Sequence, residues 1–185
     1  MQNLTRKAIM DSFVKLLNER PLHRITVKNI VEDCGVNRNS FYYHFEDLPS
    51  LAEAVLKEDA DKILKNAESF ESLSDCLSAA AAFALKNKKA ALHLFNASNK
   101  ELYLNYLSDI SAYVVNKFIV RASEGLAVSE TDKALITNHY KCLLMGYILD
   151  WLNSGMRYDI QENLQRVCYL FDGSVKSALL KSAEK

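Results

Sequence analysis

ITVKNIVEDCGVNRNSFYYHF, residues 25–45, reads as two short helices joined by a tight turn. Thr26 is placed to cap a helix over about 27–34, and Ile30 falls where it packs back on Ile25 as a hydrophobic staple. Val27, Ile30, Val31 and Cys34 supply its inward stripe. Gly35 offers the left-handed backbone that ends it. Asn37 repeats the capping device with Val36 and Phe41 as the second staple pair, so three residues, Gly35-Val36-Asn37, separate the helices. Phe41 and Phe45, four apart, form the inward stripe of the second helix. Tyr42, Tyr43 and His44 cannot all share that stripe.

A helix, a three-residue turn containing glycine and a second short helix describe a helix-turn-helix, whose second helix enters the DNA major groove. Its exposed N-terminal residues read base edges, and here they are Arg38, Asn39 and Ser40. Arginine can donate a bidentate pair to guanine, asparagine can pair with adenine, and serine serves either. Tyr42, Tyr43 and His44 can donate to phosphates or touch thymine methyls, with Tyr43 left open between DNA and packing at the core edge. Thr26 and Lys28, at the start of the preceding helix, lie near the phosphate backbone.

Outward from this stretch the pattern stays helical. Ile9, Phe13, Leu16 and Leu17 recur at helical spacing over 4–19, and Pro21 stops that helix. Residues 1–47 therefore read as a three-helix DNA-binding domain. Asp47 and Pro49 mark the first turn of a fourth helix, through about Ala67, that leads without a flexible linker into a second helical domain at 48–185. There the spacing predicts helices at about 72–87, 89–97 and 100–122, then a break at Gly125. A long helix from Ser129 to Gly155 follows, and Asp159 with Glu162 caps a last one from 160 to about 182. The fold class is all-α, which five glycines, two prolines and long Ala-, Leu-, Lys- and Glu-rich stretches favour.

Composition sets the outer bounds. Hydrophobic residues make up 49% of the 185, enough for one good core or a core with a small satellite domain. A formal net charge of zero argues against a generic polyanion binder. Through Glu46 there are seven basic residues (Arg6, Lys7, Lys15, Arg20, Arg24, Lys28, Arg38) and five acidic ones (Asp11, Glu19, Glu32, Asp33, Glu46). The N-terminal part is thus +2 and the remainder −2, an asymmetry that supports nucleic-acid binding only together with a motif. Cys34, Cys76, Cys142 and Cys168 are far apart and form no CxxC pair, so buried thiols in a reducing compartment are expected. MQNLTRKAIMDSF is charged where a signal peptide needs an apolar run, and no uninterrupted apolar window approaches ~18 residues. A cytoplasmic protein without membrane contact is the expectation.

In the second domain, Phe83, Phe95, Tyr103, Tyr106, Tyr113, His139 and Tyr140 are aromatic or imidazole residues at helical spacing. Such residues form core, or line a cavity for a small organic effector. Leu143, Leu144, Tyr147, Ile148 and Trp151 on one long helix, with Leu164, Val167, Phe171, Val175 and Leu179 on the last, give broad apolar faces suited to a four-helix interface between two copies. His93, His139 and Cys142 have no i, i+4 spacing and no carboxylate partner, so no metal or other cofactor is expected. No Ser-His-Asp set, paired carboxylates or phosphate loop stands out, and no enzymatic chemistry is expected.

The segment ITVKNIVEDCGVNRNSFYYHFEDLPSLAEAV resembles the DNA-binding domain of TetR/AcrR-type transcriptional regulators. In those, an I-T-V-x-x-I start, an x-G-V-x-x-x-x-F-Y-x-H-F recognition segment and a downstream Leu recur in this order and spacing. The resemblance implies an all-helical homodimer with a helix-turn-helix domain followed by a ligand-sensing domain. It places base contacts at Arg38, Asn39 and Ser40, and phosphate contacts at Thr26, Tyr42 and His44. Many members have a small residue where Asn39 stands and a lysine where this chain has Leu48. FYYHF and WLNSGMRYDI are similar to the subgroup that includes dihydroxyacetone-kinase operon regulators. The expected function is a repressor, controlled by a small-molecule effector, that binds a palindromic double-stranded operator as a homodimer. The alternatives are a regulator, including an activator, whose C-terminal domain binds a partner protein, and more remotely a small helical enzyme.

Overall fold

The structure, a computed structural model, describes residues 2–67, 85, 87–98 and 100–184. Among the described residues there are nine α-helices, one 3-10 turn and no strand. The helices are α1 (Gln2–Glu19), α2 (Val27–Cys34), α3 (Arg38–His44), α4 (Leu48–Ala67), α5 (Lys88–Phe95), α6 (Glu101–Ala122), α7 (Glu130–Asn153), α8 (Ile160–Leu170) and α9 (Ser174–Ala183). The 3-10 turn, Leu22–Arg24, follows Pro21. The helix expected at about 72–87 lies almost wholly outside the described residues, as do Phe83 and Cys76. The chain forms two compact units, one of Met1–Lys62 with Ala84–Tyr106 and one of Ile63–Phe83 with Leu107–Lys185.

In the first unit the stripes seen in the sequence converge. Ile9, Phe13, Ile30, Phe41 and Leu51 are each fully buried and share one core with Leu17, Ile25 and Phe45. Hydrogen bonds fix the angles between the helices around that core. Asp33 of α2 accepts from Lys15 and, at 2.8 Å, from the Ser12 hydroxyl, both on α1. The Lys15 ammonium, then the Ser12 hydroxyl, holds the Asp33 carboxyl below its ordinary range. The first turn of α5 lacks a side-chain cap of its own, and Asn18 of α1 supplies one by accepting from the Ala90 N–H at 3.2 Å. His93 of α5 donates from Nδ1 to the Leu17 carbonyl at 2.6 Å. A residue with metal-ligand chemistry is here a pin between α1 and α5.

The second unit packs Val114, Val115 and Ile119 with Leu144, Trp151, Ile160, Leu164 and Leu179 as its buried residues. Ser129 caps α7, its hydroxyl accepting from the Asp132 N–H at 3.1 Å. At the other end of α7, Trp151 Nε1 donates to the Tyr158 carbonyl at 3.0 Å and the Tyr158 hydroxyl donates to Asp150 at 2.9 Å. Asp159 then starts α8 by accepting from the N–H groups of Gln161 and Glu162. The WLNSGMRYDI segment is therefore a hydrogen-bonded connection between two helices.

Two expectations are corrected here. The single last helix over 160 to about 182 is two helices, because Asp172-Gly173 forms a turn with Gly173 at φ 76° and its N–H bonded to the Asp172 carboxylate. A left-handed residue cannot continue an α-helix. Its supposed common face is split as a result: Leu164 and Leu179 are buried, whereas Phe171 at the break is 64% exposed. The buried-thiol reading also fails for Cys142, which is exposed, while Cys34 and Cys168 are half-buried.

Candidate nucleic-acid interface

The recognition segment is built by local hydrogen bonding. Thr26 Oγ1 accepts from the Asn29 N–H at 3.2 Å while Asn29 Oδ1 accepts from the Thr26 N–H at 3.0 Å, a complete capping box for α2. Gly35, at φ 70° and ψ 24°, ends α2 in the left-handed region, and the Val36 N–H closes on the Val31 carbonyl at 3.0 Å. Asn37 then caps α3 by accepting from the Ser40 N–H at 2.8 Å. The turn is as short as the sequence requires, and α3 follows in the groove-reading position of a helix-turn-helix.

On α3 the burial pattern separates anchors from readers. Phe41 and Phe45 are buried, with ring centroids 5.9 Å apart. Arg38 and Asn39 are exposed, Ser40 and His44 half-buried. Tyr42 is 48% exposed and Tyr43 69% exposed, so Tyr43 is no part of the core. Arg38 and Tyr42, four apart, share one outer edge: Arg38 Nη2 donates to Tyr42 Oη at 3.2 Å, with the guanidinium carbon 5.6 Å from the tyrosine ring centre. Tyr43 meets His44 edge to face at 5.1 Å on the neighbouring edge.

Other sequence-selected groups have partners that narrow their chemistry. The Ser40 hydroxyl donates to Asn37 at 3.0 Å, so while that cap holds, Ser40 meets DNA only as an acceptor. Thr26 has its hydroxyl proton directed to Asn29 at 2.8 Å. Lys28 is largely exposed and 3.8 Å from Glu32, a surface pairing that leaves its charge available to a phosphate. Arg6, which its place in the sequence does not single out, packs beside the end of the recognition helix. It lies 5.5 Å over the Phe45 ring and 3.6 Å from Glu58, tying α1 to the end of α3 and to α4. A positive charge on α1, remote in sequence from both caps, carries no local signal of that role.

The effector and dimer sets are distributed differently. Phe95 and Tyr103 are buried in the first unit, where Tyr106 stacks on Tyr103 at 6.2 Å; Tyr113, His139 and Tyr140 belong to the second. Tyr140 donates to Ser174 at 2.8 Å, joining α7 to α9, and Tyr113 and His139 are exposed. Within neither unit do all of these residues meet. Of the interface set, Leu144, Trp151 and Leu164 are buried by their own chain; Ile148, Val167 and Val175 are half-buried; Tyr147 and Phe171 are exposed. Sequence reasoning missed Leu135, which lies with Leu143 and Tyr147 on the exposed side of α7, and Tyr169, Leu170 and Leu180 of α8 and α9. The usable signal was that α7 is apolar on two opposite sides, one for its own core and one outward.

A capped, stapled helix pair that turns arginine, asparagine and tyrosine outward defines a DNA-binding protein of the helix-turn-helix class. Residues 9–55 match the family described as bacterial regulatory proteins, tetR family, and residues 71–173 match a transcriptional regulator C-terminal region of the same group. The chain belongs to the TetR family of transcriptional regulators.

Solved structures share the fold at low sequence identity. The dihydroxyacetone kinase operon activator DhaS aligns with a TM-score of 0.78 over 93% of this chain and 96% of its own, at 15% identity. The fatty acid degradation regulator FadR from Bacillus halodurans gives 0.67 over 94% of each chain at 14% identity. NalD, the secondary repressor of the MexAB-OprM multidrug efflux pump in Pseudomonas aeruginosa, gives 0.61 over 96% and 98% at 16% identity. No curated protein matches in sequence. Among the described residues no helix is long and apolar enough to cross a membrane, and no three metal-capable side chains cluster.

Proposed function

We propose that the protein is a cytoplasmic, homodimeric repressor that binds a palindromic operator and is controlled by a small-molecule effector. It acts by binding and not by catalysis. The observation that carries this reading is the outward edge of α3, where Arg38 and Asn39 stand free of the core on a helix held by its Asn37 cap and two buried phenylalanines. Residues 1–47 read the DNA and 48–185 carry effector control and dimerisation. Arg38, Asn39 and Ser40 contact bases; Thr26, Lys28, Tyr42, Tyr43 and His44 face the phosphates or groove wall. Effector control requires an effector with different affinities for the DNA-competent and incompetent states.

Dimerisation is supported by the apolar outer side of α7. Leu135, Leu143 and Tyr147 are exposed there, and at Gly146 the space within 4 Å of where a β-carbon would stand is open, leaving room for a close helix approach. Leu143→Glu is expected to convert the dimer to a monomer in sedimentation, with the helical signal unchanged; a dimer of wild-type affinity would remove this face from the interface. Selection from a random DNA library is expected to return a two-fold symmetric site. Enrichment of no symmetric site would overturn the homodimeric operator reading.

Phosphate contact by His44 has its own test. His44→Ala should weaken binding to all sequences alike, leaving the base preference of the selected site unchanged. Unchanged affinity, or a loss confined to one base pair, removes His44 from the phosphate set. A second reading, activation through a partner protein bound to the C-terminal domain, is favoured by the fold shared with DhaS, an operon activator. Transcription from the selected site with purified polymerase separates the two, falling under repression and rising only with the partner under activation.

A further inference from the structure

The first unit contains a cavity of about 230 Å³ that neither the caps nor the reading edge uses. Leu22 of the 3-10 turn, Leu48 and Ala52 of α4, Leu94 and Ala97 at the end of α5, and Tyr103 of α6 are among its lining residues. All lie in the same unit. Tyr103 is the lining's single polar side chain. It is only 6% exposed, and its hydroxyl has no hydrogen-bond partner among the described residues. Burial pushes that phenol up to about 12, so near neutral pH it remains an O–H donor.

The Tyr103 hydroxyl offers one donor in an otherwise apolar lining, and a ligand that fills the space displaces solvent from apolar surface while accepting from that donor. One kind of molecule matches both features. An apolar cavity of about 150 Å³ accommodates benzene, and scaling from it gives room for about nine non-hydrogen atoms here. We propose that this cavity binds a small, mostly apolar molecule of about that size carrying one hydrogen-bond acceptor, which the Tyr103 hydroxyl engages. The proposal deepens the effector reading by naming a ligand class and a site, and rests on that reading only in calling the occupant an effector.

The position gives the occupant leverage on the reading head. Its α4 wall, Leu48 and Ala52, begins after only three residues beyond the end of α3. Its α5 wall is pinned to α1 through His93 with Leu17 and Ala90 with Asn18. A bound molecule therefore touches, on one side, the helix that follows the recognition helix and, on the other, a helix locked to α1.

Acetophenone and cumene, which have equal numbers of non-hydrogen atoms, differ in carrying or lacking an acceptor and serve as probes. With the full-length protein and no DNA, saturable binding is read by saturation-transfer NMR and by the shift in Tm. Acetophenone is expected to bind about tenfold more tightly than cumene, and Tyr103→Phe to erase that preference. Ala97→Leu, which puts a branched side chain at the half-exposed mouth, is expected to abolish binding of both while leaving Tm without ligand no lower than wild type. Absence of saturable binding, unchanged binding to Ala97→Leu, or an unchanged preference in Tyr103→Phe each overturns the proposal. Because no DNA is present, such a failure leaves the regulator reading standing, and failure of the library selection leaves the cavity result standing.

Discussion

Phe41→Ala is expected to abolish DNA binding by unfolding the first unit, with a loss of about 3–5 kcal/mol of stability. The Phe41 ring is fully buried against Phe45 at 5.9 Å and meets Tyr42 edge to face at 5.4 Å. It shares its core with Ile9 and Phe13 of α1, Ile30 of α2 and Leu51 of α4, so its loss opens a void against every helix that positions α3. A loss of that size is a large part of the roughly 5–15 kcal/mol that separates a domain from its unfolded state. Urea unfolding followed by circular dichroism should show the midpoint fall in parallel with DNA affinity. Tyr43→Ala, two positions away but 69% exposed, should change stability by no more than about 0.5 kcal/mol. A Phe41→Ala protein with the wild-type midpoint and no DNA binding would instead make Phe41 a contact residue.

What the sequence made legible was whatever is settled within a few residues. The caps at Thr26, Asn37 and Ser129 and the turn at Gly35 rest on partners three to five positions away, and the structure has each of them. Inward stripes were legible for the same reason, since Phe41 and Phe45 declare their face by spacing alone. The pins between α1 and α5 were not, because Asn18 and Ala90 are 72 positions apart and Leu17 and His93 are 76 apart. No local pattern distinguishes a histidine that will donate to a distant carbonyl from one that will hold a metal. On α7 the difficulty was different: Leu143 and Leu144 are adjacent and equally apolar, yet one is 48% exposed and the other 7%. Spacing places them on different sides of a helix without saying which side the chain itself covers. The Asp172-Gly173 break was visible as a turn dipeptide, and an apolar periodicity running through it concealed the stop.

Arg38→Ala should lower affinity for the selected operator by about 1–3 kcal/mol, roughly 5- to 150-fold, with the loss confined to one base pair per half-site. In the unbound protein the guanidinium rests on Tyr42, donating through Nη2 to its hydroxyl at 3.2 Å. That bond occupies one of five N–H donors, so a bidentate pair with guanine can form while Tyr42 still holds the arm. That contact supports Tyr42 as a positioning residue for Arg38 as well as a candidate phosphate contact. Two consequences separate these roles. Arg38→Lys keeps the charge and the salt slope but cannot present the planar fork, so it should lose base preference almost as fully as alanine. Tyr42→Phe should weaken binding on every sequence and also relax the same base pair that Arg38 reads, and the double variant should then fall short of the sum of the two single losses. Equal loss on all DNA sequences for Arg38→Ala would remove base reading from this side chain. Strict additivity with Tyr42→Phe would leave Arg38 as a reader but make its contact with the tyrosine incidental to recognition.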